Sequence, residues 1–202
     1  MKKERTYFLV NLYGIYDSNY RTSVEIDGYT NYLNNIIEVI IKHYLEGDCI
    51  TVVLCGGQTN PNSDVAEAKT VIINYGFRNK IFSRLCLSEE SERIHIVLEN
   101  QSKNTAQNIY NGISRIIVRD VDPNKIIYVI CDKFRKIKVK ILVYQIKKLF
   151  LNTGKIKIIG FKRKDIHPHS NYFYQFFTGL RYLSFHKFAE DMSIKAKNKH
   201  PA

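Results

Sequence analysis

Five short apolar runs limit the folds open to this chain: "TYFLVNLY" (6–13), "CITVVLC" (49–55), "IHIVLE" (94–99), "KIIYVIC" (125–131) and "KIKIIGF" (155–161). The middle three are almost continuously apolar and barely alternate. That pattern suits strands covered on both faces, as in a parallel sheet with helices above and below it. Helix-like stretches separate the runs. "YTNYLNNIIEVIIKHYLEG" carries Leu33, Ile36, Ile37, Ile40, Ile41 and Tyr44 at helical spacing and closes on Gly47. "SDVAEAKTVIINYG" also closes on a glycine, Gly76, and "TAQNIYNGISRIIV" follows the third run. Strand and helix in alternation predict an α/β fold with a mostly parallel sheet of about five strands.

The chain has 202 residues, enough for one α/β domain over 1–170. Residues 171–202 read as a helical, aromatic C-terminal extension packed on that domain, able to cover one sheet edge and ending in a frayed basic tail at 194–202. Residues 77–93 read as a polar insertion with room for a short helix. The stretch 133–150 fits two periods. Ile137, Val139 and Ile141 alternate as in a strand, whereas Ile137, Ile141, Ile146, Leu149 and Phe150 form a helical stripe, and the length favours the helix.

No apolar run reaches the ~18–20 residues that span a bilayer. The basic start and short apolar stretch of "MKKERTYFLVNLYGIY" are broken by Asn11 and Gly14 and read as a first core strand rather than a leader. The expectation is a cytoplasmic protein, monomer or homodimer. Cys49, Cys55, Cys86 and Cys131 form no C-x-x-C pair and read as reduced thiols. A formal net charge of +12 favours an anionic partner without choosing between nucleic acid, an anionic membrane surface and a phosphorylated small molecule.

Ligands of open parallel sheets bind beyond the carboxyl ends of the strands. All five ends here are polar. Gly14 and Asp17 follow the first, Gly56, Gly57, Gln58, Thr59 and Asn60 the second, Glu99 to Thr105 the third, Asp132, Lys133 and Arg135 the fourth, Lys162 and Arg163 the fifth. Gly56–Gly57 permits a tight turn and a close backbone approach, yet matches neither a dinucleotide fingerprint nor a P-loop. Asp64 and Glu67 have capping-box spacing for the next helix. In "ENQSKNTAQN", one of Ser102, Asn104 or Thr105 is the helix cap. Glu99, Asn104 and Asn108 remain as candidates for reading a ribose, a phosphate or an amino-acid headgroup at the helix start.

The segments "VVLCGGQTN", "VAEAKTVIINYGF" and "IVLENQSKNTAQN" together resemble the YdcF/SanA/ElyC-like family, the DUF218 domain, over roughly residues 6–161. Glu99, Ser102, Asn104, Thr105 and Asn108 fit its E-x-x-S-x-N-T-x-x-N pattern at every position, and Gly56, Gly57 and Glu67 fit its earlier motifs. The resemblance implies a Rossmann-like three-layer domain whose site is lined by Glu67, Glu99, Ser102, Asn104 and Asn108. It also implies S-adenosylmethionine as a candidate ligand. Some members are linked to envelope polysaccharide and lipid-carrier metabolism. The chain departs from the family at Ala66, where a serine is usual. Arg135 and Lys138 stand where a His and an Arg are common, and the arginine of the first helix has no counterpart around Tyr29–Asn31. Many members carry an N-terminal membrane anchor, for which the sequence shows no candidate.

The resulting expectation is a small-molecule enzyme, a hydrolase or transferase acting on an anionic or nucleotide-like substrate by phosphoester or phosphoanhydride hydrolysis or by group transfer. Glu67 and Glu99 are the candidate catalytic pair, as acid and base or together around a divalent metal. Gly56, Gly57, Gln58, Ser102, Asn104, Thr105, Asn108, Asp132, Arg135 and Lys138 are the candidate ligand-binding residues. The alternatives are a non-catalytic module that binds S-adenosylmethionine or a nucleotide, and a basic-surface protein that binds nucleic acid or an anionic membrane. Nucleic acid is disfavoured, because the lysines of 133–148 also fit the solvated face of a helix and no nucleic-acid motif accompanies them. His167 and His169 lack a nearby third metal ligand and read as loop residues.

Overall fold

The computed structural model describes residues 5–58, 64–88, 91–120, 122, 124–150, 153–163 and 168–190. Thr59, Asn60, His167 and the tail 194–202 lie outside them. Five strands form one sheet: β1 (Arg5–Asn11), β2 (Cys49–Cys55), β3 (Ile94–Glu99), β4 (Ile126–Asp132) and β5 (Lys155–Phe161). Their order is β3-β2-β1-β4-β5, and each neighbouring pair is parallel. Phe8 of β1 stands opposite Val52 of β2 and Tyr128 of β4, which fixes the register across the centre.

Among the described residues, helices α1 (Ser23–Leu45), α2 (Glu67–Ile73), α3 (Phe77–Arg84), α4 (Thr105–Arg119) and α5 (Lys136–Leu149) cover both faces, and α6 (Pro168–Leu180) packs on α5. One core layer joins Phe8, Val10 and Val52 to Ile36, Ile37, Val71 and Ile81 of α1–α3. The other joins Leu9, Val53 and Val129 to Ile109, Ile113, Leu142 and Ile146 of α4 and α5. This is a Rossmann-like three-layer α/β fold, as expected. Among the described residues no helix is long and apolar enough to cross a membrane. All four cysteines are free, and burial pushes the thiols of Cys55 and Cys131 upward, so these two act as small apolar side chains.

Several elements differ from the sequence reading for local reasons. The helix α1 begins at Ser23, ahead of the apolar stripe, because Thr22 and Glu25 form a reciprocal capping box. No such box forms at Asp64 and Glu67. The N-cap of α2 is Ala66, which makes no side-chain cap bond. Gly76, at φ +70°, separates α2 from α3, the short helix for which residues 77–93 had room. The run 94–99, expected to be buried on both faces, is less covered than that as β3. It is an edge strand whose Ile96, Val97 and Leu98 are half-buried, while β1 takes the central place. The helix α5 buries Val139, Leu142, Val143 and Ile146 and turns Ile137 and Leu149 outward, so its inner stripe is rotated from the one the isoleucines suggested.

The C-terminal segment lies on α5 rather than along a sheet edge. A Cβ on Gly179 would stand 3.2 Å from Cα of Lys138, and Gln145 Nε2 donates to the carbonyls of Tyr182 and Leu183 at 2.9 and 3.1 Å. Residues 185–190 are helical, and Phe188 is buried in the α4–α5 layer. His169 falls in the first turn of α6.

Strand order reverses between β1 and β4. The sheet therefore opens a crevice beyond their carboxyl ends, the place where α/β folds bind ligands.

Candidate functional site

The site begins with the turn from β3 into α4. Glu99, the last residue of β3, is fully buried. One carboxylate oxygen accepts from Ser102 Oγ at 2.5 Å; the other accepts from the Gln101 N–H at 3.1 Å and from Asn111 Nδ2 at 3.2 Å. Asn111 also donates to Ser102 Oγ at 2.7 Å. Asn104 is the N-cap of α4, its Oδ1 accepting from the Gln107 N–H at 2.8 Å. Gln107 in turn accepts from the Lys103 N–H at 2.8 Å. The run of amides and hydroxyls thus braces its own turn. Three donors converge on one buried carboxyl group. Asn111 belongs to this brace and went unnoticed in the sequence. It lies three residues beyond Asn108, on the same helical face.

Beside this turn lies the Gly56–Gly57 turn after β2. The Gly56 N–H donates to the Glu99 carbonyl at 2.9 Å. A Cβ on Gly57 would come within 2.0 Å of the Ser102 carbonyl oxygen. Glycine is required there by close backbone approach. The carbonyls of Gly57 and Gly56 accept from the N–H groups of Glu67 and Ala68 at 3.1 and 2.9 Å, so the turn launches α2. A Cβ on Gly56 would meet Cβ and Oε2 of Glu67 at 2.9 and 3.0 Å, and Leu12 Cβ at 3.0 Å. Glu67 is buried at the ends of β1 and β2. The structure therefore brings Gly56, Gly57, Glu67, Glu99 and Ser102 together.

A second group occupies the crevice between β1 and β4. Asp132 ends β4 and is fully buried; its Oδ1 accepts from the N–H groups of Phe134 and Arg135 at 2.8 and 3.2 Å. Its Oδ2 lies 3.1 Å from Arg135 Nε, an ion-pair contact without hydrogen-bond alignment. The Arg135 guanidinium sits 3.6 Å from the Tyr13 ring centre. Arg163, from the end of β5, is only 1% exposed. It donates to the Tyr13 carbonyl at 3.1 Å and stacks on Tyr29 at 4.1 Å. Arg21 donates to the carbonyls of Ile15 and Tyr13 at 2.6 and 3.2 Å, with its guanidinium 5.1 Å from the Tyr29 ring. Burial pushes the Tyr29 hydroxyl well above its usual range; Arg163 opposes that shift and Glu67 adds to it. Glu67 and the arginines thus act on one ring. Arg21, Arg163 and Tyr13 are the residues that sequence reasoning undervalued. Only their positions after strands hinted at them.

Buried polar atoms gather at this end of the sheet. Among the described residues, Asn11 Oδ1 and Asn108 Oδ1 have no hydrogen-bond partner. The buried hydroxyls of Tyr13 and Tyr29 have none with proper geometry, although Arg135 approaches the first and the Tyr13 N–H the second. Such groups are rare in folded proteins and mark places where water or a ligand completes the bonding. The other candidates lie less centrally. Thr105 opens α4, exposed Gln58 reaches Asp64 Oδ1 at 3.5 Å, and Lys138 packs against α6 with its ammonium 5.7 Å from the Tyr182 ring.

Among the described residues no three His, Cys, Asp or Glu side chains gather to hold a metal ion. Both carboxylate oxygens of Glu99 are engaged by N–H and O–H donors of its own turn and of Asn111.

Burial raises the Asp132 carboxyl above its ordinary 3.8, against the pull of Arg135, Arg163 and two backbone N–H groups. A carboxyl with a raised folded-state value stabilises the fold fully below pH 3.8, and that contribution is lost as pH rises through the raised value. Asp132→Asn keeps the acceptor for Phe134 and Arg135 and removes the buried charge. The variant should therefore exceed the parent in stability at about pH 7 and converge with it near about pH 4, measured as urea midpoints across that range. A variant less stable at pH 7 would mean that the Arg135 pair outweighs desolvation.

No protein-family model, no curated protein and no solved structure matches this chain.

Proposed function

We propose that the crevice beyond β1 and β4 binds an anionic, nucleotide-like small molecule, and that the protein acts on it by phosphoester or phosphoanhydride hydrolysis or by group transfer. The observation that carries this reading is the pair of incompletely bonded buried oxygens beside Arg135 at the switch point, the Tyr13 hydroxyl and Asp132 Oδ2. The motif resemblance, which implies a site at this same rim, supports it.

Arg135 keeps a partly exposed side chain and is suited to hold the anionic group in a forked contact. Arg163 is buried beneath and adds fixed positive potential without moving. The Glu99–Ser102–Asn111 brace holds the rim in shape. Proton transfer then falls to Glu67 and Asp132, the other two buried carboxylates of the rim. In a hydrolysis, one of them takes a proton from the attacking water as the new P–O bond forms. The other, protonated, supplies the proton to the leaving oxygen as the old bond breaks. The raised Asp132 carboxyl suits the second role.

Thermal-shift and phosphate-release assays with nucleoside phosphates, sugar phosphates and S-adenosylmethionine test the proposal, with an Arg135→Gln variant alongside. A ligand at 100 times its dissociation constant adds about 2.7 kcal/mol of stability. The expected result is a phosphorylated ligand that stabilises the parent, is turned over, and loses most of its effect in the variant. Stabilisation by S-adenosylmethionine without turnover would replace the enzyme with a binding module. Stabilisation indifferent to Arg135 would move the site elsewhere.

A further inference from the structure

Charge is unevenly distributed along the chain. Residues 133–190 hold 14 Lys and Arg against two acidic side chains, Asp165 and Glu190, for a net of +12, which equals that of the whole chain. The rest balances at 17 of each sign. Arg135 and Arg163 of this set face the rim, but Lys133, Lys140, Lys147 and Lys148 are exposed along α5 and the turn before it.

The same region exposes large apolar side chains. Lys133, Ile137, Lys140, Tyr144 and Lys147 recur at intervals of four and three residues and form one outer stripe in which cation and apolar group alternate. Lys148 Nζ lies 4.4 Å from the Tyr144 ring centre. The C-terminal segment docks at Lys138 and Gln145, each one residue past Ile137 and Tyr144, so it borders this stripe. Its own outer side presents Tyr174, Phe177 and Leu183, all more than 60% exposed, and Phe185 at 44%. Clustered apolar exposure of this kind marks an interaction surface.

We propose that the α5–α6 face docks on an anionic lipid bilayer. Phenylalanine, tyrosine and leucine side chains bury themselves at the level of the headgroups, and lysines on their long stems reach the lipid phosphates. A second copy of the chain is disfavoured, because a twofold contact would set one +12 region against another. Nucleic acid fits less well, because Ile137 and Leu183 offer aliphatic surface with no π-face on which a base could stack. The proposal is independent of the chemistry at the crevice.

Flotation with vesicles of phosphatidylcholine alone and of equimolar phosphatidylcholine and phosphatidylserine provides the test. Two double variants accompany the parent: Phe177→Glu with Leu183→Glu, and Lys140→Glu with Lys147→Glu. All four positions are exposed, so the fold tolerates the changes. Expected are binding to the anionic vesicles, weakening by salt, and a loss of about tenfold or more in each variant. Arg135→Gln should leave binding to the vesicles unchanged. The proposal is overturned if the parent ignores anionic vesicles, or if both double variants bind them as the parent does. It is also overturned if single-stranded RNA, and not vesicles, is bound in a variant-sensitive way. A concentration-dependent dimer abolished by the Phe177/Leu183 changes would assign the face to self-association.

Discussion

A Glu99→Leu variant should unfold with a free energy roughly 4 kcal/mol below the parent, a large share of the 5–15 kcal/mol typical of a domain. The side chain is fully buried, so the loss is set by what it leaves behind. The Gln101 N–H, Ser102 Oγ and Asn111 Nδ2 each lose an acceptor. An unsatisfied buried donor costs about 1–3 kcal/mol. The loss stays below three full penalties, because Asn111 already donates to Ser102 and keeps that bond. Glu99→Gln retains one acceptor oxygen and should cost only about 1 kcal/mol. Urea unfolding of the three proteins, read as midpoints at a common slope, measures both differences. A leucine variant as stable as the parent would mean that this carboxylate does not brace the turn, and Glu99 would return as a candidate acid or base.

The outline of the fold was legible because it depends on pattern. Five apolar runs with helical stretches between them specify a parallel α/β layer structure whatever the register. Strand order was not legible. The runs 94–99 and 125–131 are both mostly apolar, yet β3 stands at an edge, since a strand packed under helices needs apolar residues whether or not both its edges are paired. The α5 stripe was misread for a related reason. Branched apolar residues surround that helix, and valine and leucine rather than Ile137 and Leu149 turn inward. In α1 the capping box at Thr22 and Glu25 went unread, because Val24 beside it is exposed and the apolar periodicity starts later.

The rim was legible in part. Polar residues after apolar strands marked where a ligand would sit, and Gly56, Gly57, Glu67, Glu99 and Ser102 meet there. Function was harder to separate from scaffolding. Asn104 and Ser102 have the residue types of a ligand-reading surface and of a helix-start brace, and one sequence cannot distinguish those uses. The cationic wall was harder still. Arg21 precedes α1 and Arg163 follows β5, yet both donate to the Tyr13 carbonyl, a convergence that only the sheet order produces.

Gly57→Ala should cost roughly 3 kcal/mol, although it adds one methyl group. The new Cβ would lie 2.0 Å from the Ser102 carbonyl oxygen and 2.9 Å from both its carbonyl carbon and its nitrogen. Every obstacle is backbone, so no side chain can swing aside. Relief requires the β3–α4 turn to move as a body, and the Glu99 brace resists that movement. Gly47→Ala is the control. Its φ of +104° makes alanine strained, but nothing stands within 4 Å, so the loss should be about 1 kcal/mol. Combining Gly57→Ala with Glu99→Leu should cost less than the two separate losses together, because a turn already released can yield to the methyl group. Strict additivity would indicate that the two turns are energetically independent, and the rim would then be two separate loops rather than one rigid wall for a ligand.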